Sequence, residues 1–320
     1  MNQTFVKSVT EQLPQLSLMQ DEPMKKHTTF RIGGPADYYA EPDVSQISKL
    51  IEIAKACDMP VAVIGNGSNL LVGDKGIRGL VIGIGKGLSA IEVTEAVAQQ
   101  STAQDFTAQG NGRIITAGAG AILAAVAAKA AEASLSGLEF ASGIPGSVGG
   151  AVFMNAGAYK SDMGYIVSEI KVLTPELKVK TLYNKDLNYK YRSSFLQQNP
   201  NYICLEATLV LRHGDKKEIK DLMERRRQKR LMTQPLSFPS AGSVFRNPDG
   251  DFAGRLVEDC GLKGFSIGGA MVSDKHANFI VNKKDATASD VKNLIYYVHD
   301  KVKDETGVDL KIEQEFVNWE

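Results

Sequence analysis

The chain has 320 residues, too many for one ordinary core at roughly 100–200 residues per domain, so two or three domains are expected. Its 43% hydrophobic and 23% charged residues match a globular composition and exclude wholesale disorder. Lys plus Arg and Asp plus Glu number 37 each, and zero net charge removes the electrostatic case for a non-specific nucleic-acid or membrane-surface binder.

Residues 1–26 carry apolar positions at helical spacing and predict a leading helix that ends near Pro23. TTFRIGGPADYYAEP, from Thr28, predicts a short strand, a Gly-Gly-Pro turn and a second strand. Val44, Ile47, Leu50, Ile51 and Ala54 predict an amphipathic helix over residues 44–57, with Asp43 or Ser45 as its cap. VAVIG, after Pro60, reads as a buried strand leading into NGSNLLV and GLVIGIG. Glycine-punctuated strands follow to about residue 118, with a polar surface excursion at about 95–112. An alanine-rich buried helix is expected at about 120–134, before LSGLEFASGIPGSVGGAVFMNAGAY, the most glycine-dense part of the chain.

Strands are expected at residues 171–182 and 202–213, then an exposed helix at 216–231. Its run ERRRQKR reads either as a basic stripe for nucleic acid or as a solvated face with paired Glu and Asp; the second reading is preferred. Further strands lie near 268–272 and 278–281. The helix at 288–305 starts at Thr287 or Ser289 and stops at Gly307, and a closing strand spans 308–317. The expected division is an N-terminal helix (1–26), a region of two α+β lobes (27–212, divided at about 85/86) and a C-terminal domain (213–320).

The cysteines, Cys57, Cys204 and Cys260, form no CxxC pair, so neither a disulfide framework nor a zinc site is indicated and a reducing compartment fits. The start is polar and no window approaches the roughly 18 apolar residues of a membrane span, so a cytoplasmic protein with no membrane partner is expected. His27, His213, His276 and His299 show no metal-ligand spacing, and no metal is expected. No GxSxG elbow points to a hydrolase.

Two glycine-rich segments have the composition to approach a ligand closely. Gly65-Asn66-Gly67-Ser68-Asn69 follows the apolar strand, and its glycines remove the Cβ atoms that would shield N–H groups from phosphate oxygens. The second contains Gly143, Ile144, Pro145, Gly146, Ser147, Gly149 and Gly150. Neither matches the P-loop or GxGxxG, and each alone also reads as a tight structural turn. Together they favour a bound cofactor. Three polar segments remain: Tyr189–Phe195 (YKYRSSF), Ser240–Pro248 (SAGSVFRNP), and the pair Glu313 and Glu315. Each also has a structural reading: an aromatic-rich strand end, an Ala-Gly turn and solvent-facing carboxylates.

Taken in order, TTFRIGGPA, IGNGSNLLV, GLEFASGIPGSVGGAVFMNAGAY, YRSSF, SAGSVFRNP and GLKGFSIGGAMVSDKHANFIVN resemble the UDP-N-acetylenolpyruvoylglucosamine reductase family from about residue 24 to 315. The resemblance implies an α+β flavoprotein. It would have a two-lobed FAD-binding region of the vanillyl-alcohol-oxidase type and a C-terminal substrate-binding domain. The compact spacing between YRSSF and SAGSVF is similar to the short form, which lacks a capping loop. The implied reaction is NADPH-dependent reduction of UDP-N-acetylglucosamine enolpyruvate, in peptidoglycan precursor synthesis. Arg192 matches the family arginine that faces the enolate, Ser243 its proton donor, and a C-terminal glutamate that joins the arginine in stabilising the enolate completes the set. A gapless count from Gly307 selects Glu313 and puts Gln314 in a slot that is usually apolar; a two-residue slip selects Glu315. The gapless register is preferred. Residues 65–69 and 143–150 would hold FAD, while Arg226, Asn247, Lys263 and Lys275 would meet the nucleotide sugar. A different flavin oxidoreductase of the same fold, and a non-catalytic nucleotide-sugar binder, are the alternatives that the bare motifs leave open.

Overall fold

The computed structural model describes residues 2–95 and 112–318, so residues 96–111 of the expected surface excursion lie outside the described residues. The first helix is shorter than expected. It spans Gln3–Gln12, with the Asn2 side chain accepting the Phe5 N–H at its start. The expected helix over 1–26 fails because Leu13 precedes Pro14, and a residue before proline is pushed out of the helical region. The chain then turns extended over Leu18–Pro23.

Cα proximity divides the chain into two compact units that interleave along the sequence. The first comprises Met1–Leu18, Ala40–Asn66 and Ile82–Gln228; the second Met19–Tyr39, Gly67–Val81 and Lys229–Glu320.

The first unit is built on an antiparallel sheet of alternating apolar strands, in the order Val179–Tyr183, Val167–Leu173, Ile203–His213, Gly112–Gly118 and Ile91–Glu95. Inward residues Ile170, Val172, Ala207, Leu209 and Ile115 are buried, as the two-residue period of a half-buried strand requires, and Val167 stays buried across a register shift between residues 167 and 169. The helix Leu123–Glu132 buries Leu123, Val126, Ala127, Ala130 and Ala131. The short helix Val148–Met154 packs on the central strand Ile203–His213. In the charged helix Lys216–Thr233, Lys216 and Lys220 both pair with Glu132, at 2.7 and 2.5 Å, and Arg227 pairs with Glu224. Hydrogen bonds from those two lysines pull the Glu132 carboxyl down to about 2.

In the second unit, residues 28–32 make a turn, where a strand was expected. The Thr28 hydroxyl donates to the Ile32 carbonyl at 2.8 Å, and Arg31 is left-handed with φ +55°. Only the second expected strand there is present, as Pro35–Ala40. The core joins Phe30, Ile32 and Leu71 to Val244, Phe245, Leu256, Val272 and Ile280. The inner face of the helix Ala288–Thr306 completes it. That helix begins with the expected Thr287 cap and ends at the left-handed Gly307, φ +74°.

Its N-terminal N–H groups are satisfied from two sides. Thr287 Oγ1 accepts from Asp290 N–H and Asp74 accepts from Ala288 and Ser289, while the Asp290 carboxylate returns to the N–H groups of Thr287 and Gly269. Burial acts to raise the Asp290 carboxyl, but the Thr287 and Gly269 N–H groups and the Thr287 hydroxyl outweigh it and hold it below its ordinary value. A depressed carboxyl contributes stability above its unfolded value, and that contribution is lost as pH falls through the folded one. Asp290→Asn is therefore expected to lower stability by about 1 kcal/mol at neutral pH. Urea titrations should show the gap to the parent closing in acid. A gap of equal size at both pH values would show that the carboxylate charge contributes nothing there.

No helix among the described residues is long and apolar enough to cross a membrane.

Candidate active site

In the first unit, the strand Val61–Ile64 ends at Gly65, and the two glycine segments meet there. The Asn66 Nδ2 donates to the Pro145 carbonyl at 2.6 Å, and a Cβ on Gly65 would lie 2.5 Å from Ser147 Oγ. A third small-residue segment, Gly118-Ala119-Gly120-Ala121, completes the arrangement. Val148 N–H donates to the Ala121 carbonyl and Gly149 N–H to that of Ala119, both at 2.8 Å. Leu123 N–H reaches the Gly146 carbonyl at 2.9 Å. A Cβ on Gly118 or Gly120 would fall 2.1 Å from the carbonyl oxygens of Leu88 and Gly85 respectively. Sequence reasoning missed this segment by assigning it to the start of the following helix. The Ala-Gly-Ala-Gly run directly after an apolar strand was the available signal.

Asn66, Pro145 and Gly150 are exposed at the rim of this cluster. Ile122, which bridges Ser147, remains 45% exposed, an uncovered apolar side chain beside bare backbone. A Cβ on Gly150 would have only Ser147 Oγ within 4 Å, at 3.6 Å, so that backbone is unobstructed. Unhindered backbone next to exposed aliphatic surface suits a pyrophosphate joined to a flat ring, and FAD fits this donor set.

Gly67, Ser68 and Asn69 belong to the second unit. Gly67 is left-handed (φ +61°), and a Cβ there would fall 2.0 Å from the His27 carbonyl oxygen, so only glycine fits. Asn69 fastens the end of the chain: its Nδ2 donates to the Glu313 carbonyl and its own carbonyl accepts the Glu315 N–H, both at 2.9 Å.

YKYRSSF forms a tight hairpin in the first unit. Lys190 and Ser193 exchange two backbone hydrogen bonds, leaving Tyr191 and Arg192 at the tip, with Arg192 left-handed at φ +53°. The glycine-rich segment anchors it. Asn155 Nδ2 donates to the Lys190 carbonyl at 2.9 Å, Ser194 Oγ to the Phe153 carbonyl at 2.6 Å, and Arg192 Nη2 to the Gly157 carbonyl at 3.0 Å. The guanidinium also lies 5.1 Å from the Tyr191 ring centroid.

In the second unit, the Ser243 loop is fixed by backbone and by Asn278. Val244 N–H donates to the Asn278 carbonyl, Phe245 N–H to Asn278 Oδ1, and Asn278 Nδ2 returns to the Phe245 carbonyl, within 2.8–2.9 Å. Thr29 Oγ1 donates to the Ser240 carbonyl at 2.7 Å. Gly242 is left-handed at φ +75° with open space around it, and Ser243 is half-buried. The chain end packs alongside: Glu313 N–H donates to the Val244 carbonyl and Arg246 N–H to that of Lys311, each at 2.8 Å. Spending hydrogen bonds on this loop shortens the closing strand, expected over 308–317, to Glu315–Val317, which pairs parallel with Leu70–Val72. Gln314 is buried, its amide nitrogen donating to the Ala241 and Gly242 carbonyls at 3.4 and 3.5 Å, which accounts for a polar residue in the apolar slot. Glu313 is half-buried and Glu315 exposed.

The expected nucleotide-sugar residues are all engaged. Asn247 Oδ1 accepts the Ala253 N–H at 3.1 Å, at the start of the helix Ala253–Asp259. Lys263 pairs with Glu258 at 2.7 Å, and Lys275 Nζ donates to the Leu231 carbonyl at 2.5 Å. Arg226, in the first unit, lies 4.5 Å from the Tyr159 ring centroid.

Comparison with known proteins adds to this geometry. Residues 36–182 match the family model of an FAD binding domain, and residues 234–317 that of the UDP-N-acetylenolpyruvoylglucosamine reductase C-terminal domain. A UDP-N-acetylenolpyruvoylglucosamine reductase of Agathobacter rectalis is 65% identical over 317 residues, covering 99% of both chains. That of Anoxybacillus flavithermus is 43% identical over 302 residues, 94% of each chain. The crystal structure of the Thermus caldophilus enzyme superposes with a TM-score of 0.74 at 33% identity, covering 95% of this chain and 99% of that one.

Proposed function

This chain belongs to the UDP-N-acetylenolpyruvoylglucosamine reductase family and is an FAD-dependent oxidoreductase, and from that premise we propose that it reduces UDP-N-acetylglucosamine enolpyruvate to UDP-N-acetylmuramate with NADPH as co-substrate. The observation that carries the reading is the meeting of the two glycine segments at Asn66–Pro145 and Gly65–Ser147, inside the FAD-binding match.

Bound FAD would supply the electron pair, as hydride to the β-carbon of the enolpyruvyl alkene, with NADPH as its source. This chain's residues manage the charge and the proton. As the β-carbon gains hydride, negative charge develops on the α-carbon and spreads into its carboxylate. Arg192 offers a planar, permanently charged fork to that carboxylate, and a preorganised group of this kind is worth about 3–4 kcal/mol. The Ser243 hydroxyl gives its proton to the α-carbon, and the Glu313 carboxyl completes the proton path. Backbone at residues 65–69 and 143–150 would hold the cofactor. Asn247, Lys263, Lys275 and Arg226 would exchange their present partners for the nucleotide diphosphate and sugar.

The test is a visible spectrum. The purified protein is expected to be yellow, to bleach with NADPH under anaerobic conditions and to recolour on addition of UDP-N-acetylglucosamine enolpyruvate, with UDP-N-acetylmuramate as product. A coloured protein that bleaches but never recolours would refute the substrate assignment.

A further inference from the structure

Arg192 stands at the tip of a two-residue turn, on left-handed backbone, and its charge is not left to the hairpin alone. The carbonyl that receives its Nη2 belongs to Gly157, and Gly157 is paired in register with Asp162 across the short ladder Gly157–Ala158 and Ser161–Asp162. The Asp162 carboxylate is half-buried among Asn155, Gly164 and Tyr165 and interacts with the charge of Arg192. Asn155 is the hub: 2% exposed, left-handed at φ +44°, it donates to the Lys190 carbonyl and accepts the Gly164 N–H, each at 2.9 Å. Space is as tight as the bonding. A Cβ on Gly157 would lie 2.6 Å from the Asp162 Cβ, and one on Gly164 3.2 Å from an Asp162 carboxylate oxygen and 3.0 Å from the Tyr189 Cβ.

We propose that Asp162 is a positioning residue for Arg192: it fixes the guanidinium through the Gly157–Asp162 ladder and the Asn155 hub, and offsets part of its charge. Burial raises the Asp162 carboxyl above its ordinary value, against the Gly164 and Tyr165 N–H groups, the Asn155 amide and Arg192, which favour its ionised form. A rigid, partly compensated cation binds the ground-state carboxylate less avidly than a bare one. It still meets the enolate in the geometry the transition state needs, which is the differential binding that raises kcat. The inference rests on the role given to Arg192 above.

Asp162→Asn keeps the size and removes the charge. With the flavin spectrum retained, kcat is expected to fall on the order of 10²-fold, the cost of a misplaced reacting group. KM for the enolpyruvyl substrate should stay level or decrease, because the cation loses its counter-charge. The loss is confined to the half-reaction that consumes this substrate, and in an Arg192→Lys background Asp162→Asn adds little. A raised KM at constant kcat, full additivity with Arg192→Lys, or unchanged kinetics while Arg192→Lys is impaired would overturn the positioning role. Unchanged turnover in Arg192→Lys itself would instead remove the arginine from the mechanism. Should Asp162→Asn not fold, Asp162→Glu carries the same cycle, because the longer arm keeps the charge but displaces it from the guanidinium.

Discussion

Replacing Ser243 by alanine leaves NADPH able to bleach the flavin but lowers steady-state turnover by about 10²–10⁴-fold, the range that a positioned proton donor supplies. The loop should survive the change, because it is held without the serine hydroxyl. Val244 and Phe245 are pinned by Asn278, and Ser240 by Thr29. The side chain is half-buried beside the left-handed Gly242, whose surroundings are open. A serine hydroxyl is a poor acid in water, so it serves only as a relay that neighbouring groups refill. Ser243→Cys, which keeps a transferable proton, should recover part of the lost rate. Anaerobic stopped-flow separates the half-reactions: flavin reduction by NADPH at its normal rate, followed by slow reoxidation by substrate. Reoxidation at the parent rate in Ser243→Ala would remove the serine from the proton path.

Much of the local structure was legible because it is set by neighbouring residues. Thr287, Asp290 and Gly307 delimit the last long helix through a capping box and a left-handed stop, both visible as residue types at fixed offsets. Pro14 carried an equally local signal, and it ends the first helix well before Pro23. Thr28–Ile32 misled, since its β-branched and aromatic residues favour a strand while the Thr28 hydroxyl closes a turn on the Ile32 carbonyl. Each glycine segment was recognisable alone, but the Asn66–Pro145 hydrogen bond spans 79 residues and no local pattern encodes it. The same holds for Asn155, whose sequence neighbourhood says glycine loop while its side chain fastens the Arg192 hairpin 35 residues on. Interleaving is harder still, because residues 67–81 are locally indistinguishable from the strands that flank them.

Glu313→Gln and Glu315→Gln, compared side by side, are expected to differ by about two orders of magnitude in turnover, with only Glu313→Gln strongly impaired. The two carboxylates are separated by one residue but their surroundings differ. Glu313 is half-buried and its N–H is bonded to the Val244 carbonyl, the residue next to Ser243, while Asn69 holds its carbonyl from the other side. Backbone fixed at both ends gives that side chain a defined origin, which a group sharing a proton with Ser243 requires. Glu315 is exposed and begins the parallel pairing with Leu70, so its carboxylate is solvated and a neutral amide there changes little. Gln314 between them is turned into the protein against Ala241 and Gly242, which fixes the register of the segment against the serine loop. If Glu315→Gln proved the damaging change instead, the carboxylate role would pass to Glu315, and the backbone contact to Val244 would be purely structural.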